Sequence, residues 1–219
     1  VWPNGNDEIT ALKVHNNFLI IFGKTQILVY SGADDPATMQ LSDTVVGIGC
    51  IARDSVQVTG KDVIFLSDDG LQSLGRTIQE KSAPMRDLSK NVRTEMMALV
   101  LGETGRIFSV YSPEEAFYLL HLEDSGVTYS FDMRSPLEDG SARATKWTLI
   151  TPQALCRLRD GTLLLGKGQG IADYEGFTDN GSTYLMSYFT NYIDFGAPSN
   201  LKLLKNLKIT IIGGSDTQA

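Results

Sequence analysis

The chain has 219 residues, 42% of them apolar, and its 19 basic and 26 acidic residues leave a net charge of −7. That composition is ordinary for a globular fold, and the acidic balance argues against a protein that grips nucleic acid through its phosphates. The longest apolar runs, about half a dozen residues, fall far short of the roughly 20 that cross a bilayer as a helix, and no signal peptide is visible.

Residues 9–14 read as a strand leading into a hairpin. The apolar runs 18–22 and 27–30 flank Gly23-Lys24-Thr25, which favours a tight reversal. Both runs are continuously apolar, so both faces of the ribbon are expected to be covered by other protein. Residues 38–41 follow as an outer strand after the turn at Pro36. The same unit returns with Val63-Ile64-Phe65-Leu66 turning at Ser67-Asp68-Asp69-Gly70, with residues 117–122 turning at Asp124-Ser125-Gly126, and with Leu163-Leu164-Leu165 turning at 166–170. Phe18, Val63, Phe117 and Leu163 stand about 45, 54 and 46 residues apart, inside the range of propellers and other repeat arrays.

The pattern breaks over residues 78–105. Leu88, Val92, Met96 and Val100 recur every four residues, with Asp87 as N-cap and Gly102 as stop, predicting an amphipathic helix of about 15 residues packed on the side of the β domain. This insertion accounts for the longer second step. Strands resume at 106–111, and residues 146–150 supply the third unit's outer strand. Residues 153–158 open the fourth unit and 184–188 close it. Gly196-Ala197-Pro198 marks a boundary. The reading is therefore an all-β, propeller-like array of about four blade units over 1–195 with one inserted α-helix, then the start of a second β module over 196–219. Lys202, Lys205 and Lys208 in that module are read as a solvated strand face that a partner or DNA could also meet. Because the chain starts at Val1 and stops just after a strand-like run, a segment of a longer polypeptide is expected.

Reactive chemistry is sparse. Cys50 and Cys156 are too few for a disulfide framework or a zinc site, and both are expected as buried, reduced thiols. His15 and His121 lie in or beside strands with no carboxylates at ligand spacing, so each reads as structural. Asp68-Asp69 and Glu114-Glu115 are chain neighbours that point to opposite faces of an extended backbone and cannot act as an acid/base pair. Gly166-Lys167-Gly168-Gln169-Gly170 lacks the Lys-Ser or Lys-Thr and the helix of a phosphate loop and reads as a turn. Ser67-Asp68-Asp69-Gly70 is similar to a sialidase aspartate box but is one residue short and lacks the tryptophan. The sequon at Asn180 carries little weight. No catalytic, cofactor-binding or metal site is assigned.

The series 18–30, then Gly49-Cys50-Ile51-Ala52, then Val63-Ile64-Phe65-Leu66-Ser67-Asp68-Asp69-Gly70-Leu71, then Asp87-Leu88-Ser89-Lys90, resembles the tail nozzle proteins of short-tailed bacteriophages, also described as tail-hub or packaged-DNA-stabilisation proteins. Residues 192–199 and 203–210 are similar to the exit from their propeller. The resemblance implies a virion component without catalytic residues or cofactor, commonly a hexameric ring below the portal and its adaptor, assembled in the host cytoplasm. Such a ring closes the DNA channel and opens it on ejection, with tail fibres as further neighbours. An acidic wall suits such a passage, because it repels phosphates and keeps DNA from sticking. Four units are too few for a typical propeller, so further blades are expected from elsewhere. The competing readings are a propeller module that binds carbohydrate or peptide, and a propeller hydrolase.

Overall fold

The computed structural model describes Trp2, residues 5–81, 87–148, 150–168 and 170–176, and the isolated positions 182, 201, 203 and 208. The chain divides into two compact units, Val1–Tyr174 and Glu175–Ala219, and every described helix and strand belongs to the first. The strand expected over 184–188, the sequon, the 196–198 boundary, and Lys202 and Lys205 lie outside the described residues; Lys208 is exposed.

Four antiparallel meanders make up this unit, each with its strands side by side in chain order. The first comprises β1 (Ile9–His15), β2 (Phe18–Gly23), β3 (Gln26–Ser31) and β4 (Gln40–Val46). Asn16 and Asn17 join β1 to β2 with φ of 49° and 63°, the two-residue turn that matches strand twist and that asparagine tolerates. The reversal at Gly23 is pinned from outside: the Asp7 carboxylate accepts the backbone N–H groups of Lys24 and Thr25 at 3.1 and 2.9 Å. The second sheet has β5 (Gln57–Val58), β6 (Val63–Ser67) and β7 (Gly70–Ser73). Helices α1 (Leu74–Glu80) and α2 (Arg93–Gly102) precede the third sheet, β8 (Ile107–Ser112), β9 (Phe117–Leu122), β10 (Val127–Asp132) and β11 (Arg143–Trp147). The fourth contains β12 (Ala154–Arg157), β13 (Leu163–Lys167) and β14 (Gly170–Asp173).

Three apolar cores hold the sheets in sequence. Ile20, Phe22 and Ile27 of the first sheet meet Val63 and Phe65 of the second, with the Phe22 and Phe65 rings 5.1 Å apart. The opposite side of the second sheet, Ile64, Leu66 and Leu71, packs on Tyr118, Leu120 and Tyr129 of the third. Leu119 and Phe117 then turn to Leu163 of the fourth, where Trp147 and Tyr174 stack at 6.0 Å and both meet Phe117 edge-on. Side chains that alternate along one strand thus serve two different cores. That is the arrangement of propeller-like blades, an all-β array with a helical insertion.

The insertion differs from its sequence reading. The stripe Leu88, Val92, Met96 and Val100 does face the core between the second and third sheets, and the helix does end at Gly102, but it begins only at Arg93, with Val92 at the N-cap and no side-chain cap. Asp87 is instead buried, accepting from Ser89 Oγ at 2.7 Å and Arg93 Nη1 at 3.0 Å. It holds a short extended piece whose Leu88 N–H donates to Leu71 O at 2.9 Å and whose Leu88 O accepts from Ala142 N at 2.9 Å. That piece covers the edge of β7 where the first and third sheets carry a fourth strand. The second departure is α1: Ser73 caps it through Arg76 N, and Asp62 accepts the Gly75 N–H at 2.9 Å, so Leu74 opens a helix and does not extend the strand. The outer strands also shift, β4 to Gln40–Val46 and β11 to Arg143–Trp147. Cys50 is buried as expected, whereas Cys156 is exposed.

Candidate functional site

The first strands of the second, third and fourth sheets lie close to one another. Asp54, just ahead of β5, bridges Phe108 of β8 in parallel, and its carbonyl accepts both the N–H (3.0 Å) and the hydroxyl (2.8 Å) of Ser109. Gln57 of β5 adds its Nε2, donating to Ser109 O at 3.0 Å and Ser109 Oγ at 3.1 Å. β12 also lies beside β8. Together these strands wall a cavity of about 550 Å³ lined by Gln57, Thr59, Ser109, Tyr111, Cys156 and Arg157, among others. Its volume falls in the range of small-molecule sites.

The polar groups of this wall are largely engaged with one another. The Arg157 guanidinium donates through Nε to Glu114 Oε2 at 2.9 Å and through Nη2 to Oε1. That paired contact holds the Glu114 carboxyl well below its usual range, at about 2. Thr59 Oγ1 donates to the Asp62 carbonyl at 3.2 Å. The wall therefore offers apolar stems, a hydroxyphenyl group, an exposed thiol and an ion pair.

The residues weighed from sequence are dispersed across the fold. Asp68 and Asp69 are exposed in the β6–β7 turn, where Ser67 Oγ bridges the Asp69 N–H and the Gly70 carbonyl. Glu114 pairs with Arg157, while the Glu115 N–H donates to Ser112 Oγ at 3.3 Å. His15 ends β1, half-buried. His121 is buried in β9 with Nδ1 2.8 Å from Thr128 Oγ1. Since that hydroxyl donates its proton to Ile150 O at 3.0 Å, the imidazole is the donor and carries its proton on Nδ1. Burial lowers its pKa from the ordinary value, against the opposing pull of Glu103 and Glu123. Among the described residues, no group of three His, Cys, Asp or Glu is placed to hold a metal, and no helix is long and apolar enough to cross a membrane. A smaller cavity of about 150 Å³ lies between the second and third sheets, and its Asp62, Ser73 and Arg76 are already bonded within the helix cap and to Gly140 O. Gln57, Ser109 and Arg157 carried no motif in the sequence; their adjacency appears only when the first strands of successive sheets are set side by side.

No family model and no curated protein matches the chain. Among solved structures, the computationally designed Ika4 protein aligns at TM-score 0.44 and 15% identity, covering 80% of this chain and 94% of its own. The designed Ika8 protein aligns at 0.41 and 15%, over 72% of this chain. The AfRom2 CNH domain aligns at 0.37 and 13%, over 76%. The chain spans 42% of Ika8 and 48% of the CNH structure. Scores of this size carry no argument about fold or activity.

Proposed function

We propose that the chain is a structural component of a short-tailed phage tail nozzle, a ring subunit that extends and closes the DNA channel and takes part in retaining and releasing DNA. One observation carries this reading. The segments that resemble the nozzle family, 18–30 and 63–71, coincide with β2, β3, β6 and the start of β7, the strands at the heart of two successive blades, so the likeness lies in the scaffold. The polar groups of the inner-strand cavity support it, because they join sheets to one another. The net charge of −7 suits a wall past which DNA slides without binding. The test is electron microscopy of the purified chain, alone and mixed with a portal–adaptor assembly. A ring of about six copies that caps the adaptor is expected; a monomer that ignores it contradicts the proposal.

The 550 Å³ cavity favours a second reading, a propeller module that holds a carbohydrate or peptide against Tyr111 and Arg157. Retention on a glycan or peptide array, abolished by Tyr111→Ala and Arg157→Ala, would establish it in place of the first.

A further inference from the structure

The strands that wall the 550 Å³ cavity differ in how much of their backbone is already spent. In an antiparallel pair every second residue turns its N–H and C=O away from the partner strand. On β8 the Arg106 carbonyl accepts the Glu123 N–H, so residues 108, 110 and 112 bond to β9, and Ile107, Ser109 and Tyr111 turn the other way. Ser109 is taken up there, its N–H by Asp54 O and its carbonyl by Gln57 Nε2. On β12 the Leu158 N–H donates to Thr162 O, so Ala154 and Cys156 bond to β13, and Leu155 and Arg157 turn their N–H and C=O groups outward. Among the described residues, no ladder joins β12 to any strand except β13. The edge belongs to residues that line the cavity, and a free strand edge is a template for a further strand.

Two side-chain donors on the same wall are also unspent. Arg157 gives Nε and Nη2 to Glu114 and keeps Nη1, and the Tyr111 hydroxyl has no hydrogen-bond partner among the described residues. Because Glu114 already neutralises the guanidinium, these donors fit an uncharged acceptor, a peptide carbonyl, better than a second carboxylate.

We infer that the cavity takes an uncharged peptide in extended form, which pairs with the outward edge of β12 at Leu155 and Arg157 as an added strand. Main-chain pairing supplies the affinity of such a contact, and the pockets that receive alternate side chains supply its selectivity. The inference deepens the second reading above, on which it rests, by naming the ligand class and its pose.

The probe is an immobilised library of random uncharged hexapeptides, run beside a glycan array. Retained peptides are resynthesised with one backbone amide N-methylated at a time, and amide hydrogen exchange of the protein is followed by NMR with and without them. Peptides and not glycans are expected to be retained. N-methylation is expected to abolish binding at alternate positions only, since a strand turns every second amide toward its neighbour. Bound peptide is expected to slow exchange at Leu155 and Arg157, while Cys156, already paired with β13, keeps its rate. Retention of glycans alone would overturn the inference and leave the second reading standing. Peptides that bind regardless of where they are methylated, or that leave exchange at Leu155 and Arg157 unchanged, would do the same. Retention of neither probe would overturn both.

Discussion

Ser55 is a small residue with large structural consequences. It is fully buried, its hydroxyl donates to Ala52 O at 2.6 Å and accepts the Leu66 N–H at 3.0 Å, and its carbonyl takes the Tyr118 hydroxyl at 2.6 Å. Replacing Tyr118 with Phe leaves that buried carbonyl short of a donor, and chemical denaturation should show a loss of about 1–3 kcal/mol. The two thiols should separate cleanly. Burial pushes Cys50 up to about 11, whereas Cys156 is exposed, so a thiol reagent at neutral pH should label one site in the folded protein and two after unfolding. Acid should act in two steps. His121 has its folded pKa depressed by burial below the ordinary 6.5; its contribution is complete above that value and is lost as pH falls through the folded pKa. Glu114 and Glu123, each held at about 2 by hydrogen bonds from Arg157 and Arg106, contribute above 4.5 and are lost between 4.5 and about 2. Melting curves across pH should show both declines, and His121→Phe should remove only the first.

At the scale of elements, the blade hairpins are tightly specified. Phe65 is fully buried against Phe22, and Phe65→Ala should cost about 3–5 kcal/mol through lost burial and the cavity left behind. Gly49 is under a different constraint: a Cβ there would lie 2.2 Å from the Gly23 carbonyl oxygen. Gly49→Ala should therefore lower the melting temperature by forcing backbone apart at the β2–β3 turn. The hairpins were legible in the sequence because continuous apolar runs around Gly23 and Asp68-Asp69-Gly70 depend on local order alone. The face of α2 was legible for the same reason, through Met96 and Val100. Its start was not. Asp87 has the chemistry of a cap, but Ser89 and Arg93 satisfy its carboxylate while Leu88 pairs with Leu71, and that long-range pairing leaves no mark on local periodicity. The exposure of Cys156 was hidden for a related reason: its apolar neighbours Leu155 and Leu164 lie on different faces of the fourth sheet.

For the molecule as a whole, repeat spacing foretold a stack of blades, and three successive apolar cores realise it. The candidate cavity was not foretold. It is assembled from the first strands of three units, and none of Gln57, Ser109 or Arg157 stands in a recognisable motif. Continuous apolarity of β2 and β3 implied cover on both faces, and Ile20, Phe22 and Ile27 on one face and Ile21 and Leu28 on the other are buried, while Leu12 and Val14 of β1 and Leu41 and Val46 of β4 are exposed. Under the proposed function the chain assembles into a ring, and its net charge of −7 suits the wall of such a passage. The most direct test is the mass and shape of the purified chain by native mass spectrometry with electron microscopy. A closed ring of about six copies around an open lumen is the predicted result, and a monomer at every concentration examined would contradict it.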